Sequence, residues 1–309
     1  DPDEVGPRPV VAFAWPGGGY TRHYYDLDLG DGRPGQAAWH ARRGWTVVTC
    51  DHLNTGDATV FDPDPLTYEL LAAANVATAR FVLDALATGH LDPALAPVLD
   101  PTVIAIGQSM GGCLTIVAQG QHHAFDAIAV LGFSAVHTRI PSAPGDPPME
   151  MAWIPRSQDP ARPEVVTNTA ALEAAAARPS AETGRHPFAW AFHHDDHPAD
   201  AVAADLAGMR GGPLPAWRSA TVPICAVQMV APGTVATEAA AVTCPVFVGV
   251  GERDVVPDPR AEPRAYPSSP DLTVVEIERM AHMHNFAPTR ERLWHRLRTW
   301  GEAIAARPD

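Results

Sequence analysis

Five residues, Gly107-Gln108-Ser109-Met110-Gly111, constrain this chain more than any other stretch. Residues 103–106 are β-branched or small, as a buried strand requires, and 113–118 read as a helix. A strand that runs through a serine directly into a helix must turn within a few residues. Such a turn leaves no room for a side chain at 107 or 111, which explains a glycine at each. Ser109 is then expected at the apex of a strained turn, with its hydroxyl outward.

The rest of the chain supplies the frame for such a turn. Apolar runs at 10–15, 45–51, 102–107, 127–136, 244–251 and 272–278 read as strands. Helical periodicity appears at 66–86, with Leu70, Leu71, Val76, Phe81 and Leu86 as core candidates, then at 111–120 and 288–305. Continuous apolar strands alternating with helices predict an α/β fold with a mostly parallel, doubly wound sheet covered on both faces. The alternation lapses between 137 and 241, where helices are expected at 164–178 and 198–209, the second capped by Asp196 or His197 with Pro198 at its first position. The domains expected are therefore a core of 1–136 with 242–309 and an inserted helical cap of 137–241. A cap in that place covers the carboxyl ends of the strands, where open α/β sheets bind ligands.

Composition narrows the partners. A net charge of −14 disfavours nucleic acid and anionic membrane surfaces, which need basic patches. No apolar run is read as long enough to span a bilayer, so a soluble, cytoplasmic protein is expected. The start at Asp1 is compatible with a removed targeting segment. All 22 basic residues are arginine, which rules out a lysine Schiff base. Cys50, Cys113, Cys225 and Cys244 lack metal-ligand spacing, and two of them sit in or beside apparent buried strands or helices, where a reduced core cysteine is expected. The run "HHDDH" at 193–197 has its side chains nearly all adjacent, which suits no usual zinc site and reads as a solvated helix entrance; no metal and no cofactor are expected.

A serine hydroxyl needs a base to take its proton and an acid to orient that base. Asp254 follows the fifth strand in "GVGERDVVPDP", and His282 follows the sixth in "EIERMAHMHNF". Glu252 and Asp258 compete with Asp254, and His284 competes with His282 as the base or lines the pocket instead. The order Ser, Asp, His puts three groups at the carboxyl ends of three strands.

With the elbow at 107–111, the acid after "VGVGERD" and the histidine in "MAHMHNF", the chain resembles α/β-hydrolase-fold serine hydrolases over nearly its whole length. The resemblance implies Ser109 as nucleophile, His282 as base and Asp254 as its orienting acid. It also implies an oxyanion hole from the N–H groups of Met110 and of Gly18 or Gly19 in "WPGGGYTRHYYD". Family members usually start that loop with His-Gly, where this chain has Pro16-Gly17. They also carry one or two earlier strands, where only nine residues precede Val10.

A serine nucleophile with no cofactor implies cleavage of a carboxylic ester or lactone. Tyr20, Trp153, Phe188, Trp190, Phe192 and Trp217 are candidates for an aromatic substrate pocket, and Arg139, Arg156 and Arg162 could serve a thioester. The "PGGGY" loop and the length of the cap are similar to those of bacterial zearalenone lactonases, which implies a macrocyclic aryl lactone. A lyase or carbon–carbon hydrolase, a thioesterase, or a ligand-sensing receptor on the same triad is the alternative. A homo-oligomer is the default expectation for such an enzyme.

Overall fold

The computed structural model describes residues 8–92, 94–146, 149, 156, 188–209 and 211–306. The apolar runs form six strands: β1 (Val10–Trp15), β2 (Thr46–Thr49), β3 (Thr102–Gln108), β4 (Ala127–Leu131), β5 (Val246–Arg253) and β6 (Leu272–Ala281). They pair in one sheet in the order β2-β1-β3-β4-β5-β6, parallel throughout. Among the described residues no strand precedes β1. Helices α1 (Gln36–Ala41), α2 (Tyr68–Ala87), α3 (Met110–His122), α4 (Ala189–Phe192), α5 (Ala199–Met209), α6 (Ala236–Ala241) and α7 (Arg290–Ala305) complete the described framework.

Two hydrophobic layers sandwich the sheet. One packs α2, α3 and α6 on Val11, Phe13, Ala105 and Val130; the other packs α1 and α7 on Ala12, Ala14, Ile106 and Phe247. Alternate residues of β1 thus face opposite layers, which is why the strand is apolar at every position. Chain direction reverses between β1 and β3: the chain leaves β1 toward β2 on one side and β3 toward β4 on the other. A crevice opens at the carboxyl ends of such a pair.

Several expectations need correction. Leu71, Val76 and Leu86 are buried, but Leu70 and Phe81 are 51% and 71% exposed. The stripe of α2 that reaches the core runs through Leu71, Ala72, Asn75, Val76 and Ala79, and positions 70 and 81 lie about 80–100° off it. This 20-residue helix is also apolar enough by length and composition to cross a bilayer, contrary to the sequence reading. In the structure its buried stripe joins the layer that holds α3. The fourth strand stops at Leu131 rather than 136, because Gly132 takes a left-handed φ of 57° and turns the chain. The four cysteines are free thiols, three of them buried. Trp153, Arg162 and the helix expected at 164–178 lie outside the described residues.

Candidate active site

The turn at Ser109 has the form that its glycines imply. Ser109 sits at φ 53°, ψ −116°, a strained conformation for a residue with a side chain. Its N–H donates to Leu131 O at 2.8 Å, so β4 holds the turn in place. A Cβ on Gly107 would stand 2.2 Å from Gly111 O, and one on Gly111 would stand 2.2 Å from Trp15 O. Neither position admits any other residue without moving backbone.

Two further strand ends converge on the serine. His282 Nε2 lies 3.1 Å from Ser109 Oγ, and His282 Nδ1 lies 2.7 Å from Asp254 Oδ1. The two remaining acid candidates are elsewhere: Glu252 is exposed and accepts from Arg279 N, and Asp258 accepts from Arg260 N at the start of a short 3₁₀ turn. Asp254 is nearly filled with partners. Oδ1 also accepts from Val255 N at 2.7 Å, and Oδ2 accepts from Gly251 N at 2.9 Å. Burial alone would raise this carboxyl, but the imidazoles of His284 and His282 outweigh it and hold it well below the usual carboxylate range.

His284, the competing base, takes a place the sequence did not suggest. It is buried, and its Nε2 lies 2.6 Å from Asp254 Oδ2, so two imidazoles share one carboxylate and only His282 reaches Ser109. The turn that carries them is held from several sides. Gln108, the residue before the serine, donates through Nε2 to His282 O, and Asn285 bonds the hydroxyl and carbonyl of Tyr24. His282 N–H donates to Ala191 O and Met283 N–H to Phe192 O, and the Phe192 ring packs 4.9 Å from the His282 ring.

The glycine loop lies across the switch point from Ser109. A Cβ on Gly17 would meet Gln108 Oε1 at 2.5 Å and Ser109 Cβ at 3.1 Å, so this glycine lets the loop press against the serine. Gly18 stands beside Met110, with a Cβ there 3.8 Å from Met110 Cβ and 3.5 Å from Val222 Cγ2. Gly19, at φ 75°, faces the guanidinium of Arg218 instead. Behind the loop, buried His52 contacts Pro16 O at 3.0 Å and Asn75 at 3.2 Å. Burial lowers its imidazole to about 4, the two hydrogen bonds opposing. Gly17 and His52 were missed because nothing in their local sequence points across the fold.

Among the described residues, the aromatic candidates make the following contacts. Tyr20 is buried, and its hydroxyl donates to Asp205 at 2.8 Å. The Trp217 indole N–H donates to Asp205 at 3.0 Å. Trp190 is covered by the Arg253 guanidinium, 4.4 Å from its ring, and Phe188 stacks on Phe192 at 5.3 Å. Arg156 is bound to Glu69, Glu238 and Thr234 O. A cavity of about 440 Å³, lined by Ile140, Pro141, Met149 and Pro257, borders Asp254 rather than Ser109.

The "HHDDH" run corrects the expectation of a solvated entrance. His193 and His197 are 4% and 6% exposed, and His193 Nε2 lies 3.0 Å from Asp205 Oδ2. Asp196 is held by Arg279 and His194, not by the start of α5. The run docks the segment before α5 against β6 and the turn that follows it.

The sequence matches no protein-family model and no curated relative. Solved structures do match it. A thermophilic esterase from Thermogutta terrifontis is 15% identical, with 97% of this chain and 92% of that one covered, at a TM-score of 0.58. A monoacylglycerol lipase from Paleococcus ferrophilus is 14% identical, with 96% of each chain covered, at 0.57. A peroxisomal α/β-hydrolase from Saccharomyces cerevisiae is 12% identical, with 98% of this chain and 79% of that one covered, at 0.57. With a six-stranded parallel sheet, helices on both faces and a strained serine turn after β3, the chain has the α/β-hydrolase fold.

Proposed function

We propose that the protein is a serine hydrolase that cleaves a hydrophobic carboxylic ester or lactone. One observation carries the reading: an unbroken chain of contacts from Asp254 through His282 to a strained, half-buried Ser109. In this scheme Ser109 Oγ attacks the carbonyl carbon and its proton passes to His282 Nε2. The N–H groups of Met110 and Gly18 hold the oxygen that becomes negative. Collapse breaks the carbon–oxygen bond, and His282 returns the proton to the departing alkoxide; in a lactone that alkoxide stays tethered. Water, deprotonated by His282, then attacks the acyl-serine, and the reverse proton transfer frees the acid. Asp254 keeps Nδ1 of the imidazole protonated and turned the right way.

The placement of Gly18 beside Met110, against that of Gly19 beside Arg218, supports Gly18 as the second donor. Phe192 packs on the His282 ring and Val222 lies beside Gly18, and apolar side chains at these two places support an uncharged substrate. The segment 137–241 would act as the cap. An aryl macrolactone is the specific substrate to try, on the resemblance of the "PGGGY" loop.

The test is hydrolysis of p-nitrophenyl esters of increasing acyl length beside an aryl macrolactone. Ser109→Ala and His282→Ala should each lower kcat by about 10⁴-fold. His284→Ala, which removes a partner of Asp254 but not the base, should cost roughly 10- to 100-fold. An inactive His284→Ala beside a merely slow His282→Ala would reverse the assignment of the base. A folded wild type that cleaves none of the esters would move the reading to lyase chemistry or ligand sensing.

A further inference from the structure

Asp205 is a fully buried carboxylate in the middle of α5, and no step of the proposed reaction uses it. A buried carboxylate is costly unless it is fully hydrogen-bonded. Here its polar neighbours come from three separate parts of the chain. Tyr20 Oη donates to Oδ2 at 2.8 Å, Trp217 Nε1 donates to Oδ1 at 3.0 Å, His193 Nε2 lies 3.0 Å from Oδ2, and Arg218 Nε lies 4.0 Å from Oδ1. Tyr20 is 185 residues away from Asp205 in sequence.

Tyr20 closes the turn that carries Gly17, Gly18 and Gly19: its N–H donates to Gly17 O at 3.1 Å. Three consecutive glycines have the widest backbone freedom of any tripeptide, so they do not hold an N–H in one direction by themselves. The structure fixes the turn from outside. Ser219 N–H donates to Gly19 O and Thr21 N–H to Trp217 O, both at 2.9 Å, and the Arg218 guanidinium lies 4.3 Å over the Tyr20 ring. Asp205 hydrogen-bonds both sides of this clasp at once, Tyr20 on one and Trp217 on the other.

We infer that Asp205 is a positioning residue for the oxyanion hole: through Tyr20 and Trp217 it sets the Gly17–Gly18–Gly19 turn against Ser109 and Met110. This rests on the hydrolase reading above. Its consequence is specific. An oxyanion donor acts on the charge that develops in the transition state, so loosening it lowers kcat and leaves ground-state binding nearly untouched.

The experiment compares wild type, Asp205→Asn and Tyr20→Phe in p-nitrophenyl butyrate hydrolysis and in inhibition by an alkyl trifluoromethyl ketone, whose serine adduct places an oxyanion in the hole. Both variants should lose about 10- to 100-fold in kcat, with KM within about twofold, and should bind the ketone weaker by a similar factor. Thermal melts of the same samples report any loss of stability. A lowered melting temperature with kcat and ketone affinity unchanged would overturn the inference and leave Asp205 a structural acid. Should Asp205→Asn fail to fold, Tyr20→Phe with Trp217→Phe decides by the same readouts. A wild type that releases no p-nitrophenol would overturn the hydrolase reading, and this one with it; an active wild type with unaffected variants would overturn this one alone.

Discussion

The turn at 107–111 and the cluster around Asp205 both serve the space at Ser109, but they are built on opposite principles. The turn is local. Each of its parts is dictated by a neighbour a few residues away or by the adjacent strand, and it contains no titratable group. The cluster is assembled from residues 20, 193, 197, 205, 217 and 218, and it holds a buried carboxylate and two buried histidines. A local device is specified by short-range sterics and tolerates almost no substitution. A distributed one is specified by many hydrogen bonds, so it loses strength in steps and responds to pH.

The sharpest way to break this contrast is to add one methyl group to the turn. Gly111→Ala puts a Cβ at 2.2 Å from Trp15 O, where only a backbone shift relieves the clash. A loss of about 3 kcal/mol or more in urea unfolding is expected, or failure to fold. A variant of wild-type stability would show that the turn has slack which its geometry does not display.

Acid should act on the histidines of the fold and not on the turn. Burial lowers His197 to about 2, and His40 and His52 to about 3 and about 4, from an ordinary 6.5. Between those folded values and 6.5 the unfolded chain binds protons that the folded one excludes. Stability is therefore full above about 6.5 and falls as the pH drops, by at most about 1.4 kcal/mol per pH unit for each histidine. Urea unfolding at about pH 7 and about pH 5 measures the slope, and His197→Gln should flatten it. An unchanged slope would mean that His197 takes up a proton in the folded cluster.

The smallest effect is expected outside both regions. Phe81→Ala removes a large apolar side chain that is 71% exposed, and should change stability by no more than about 0.5 kcal/mol. A loss of several times that would mean that the outer face of α2 is covered in solution.

Much of this architecture is legible in the primary structure because it is set by short-range rules. Strand-length apolar runs, the helices between them and the glycines around Ser109 follow from periodicity and from the space a Cβ needs. So does the order of Ser109, Asp254 and His282 along the rim, since each stands just past the end of an apolar run. The same rules overreach where burial depends on orientation: Leu70 and Phe81 are apolar and in a helix, yet α2 turns them to the outside.

Tertiary structure alone decided how equivalent-looking residues divide the work. His282 and His284 are two positions apart in the same turn, and only the packing of Gln108, Ala191 and Tyr24 around it sends one to Ser109 and the other to the far oxygen of Asp254. Gly18 and Gly19 are identical in sequence terms and face Met110 and Arg218 in space. His193 reads as part of a solvated run, yet folding buries it against Asp205, which Tyr20 and Trp217 also bond. In each case the deciding contact spans tens to hundreds of residues, and no local propensity carries information about a partner that only chain folding brings within hydrogen-bond reach.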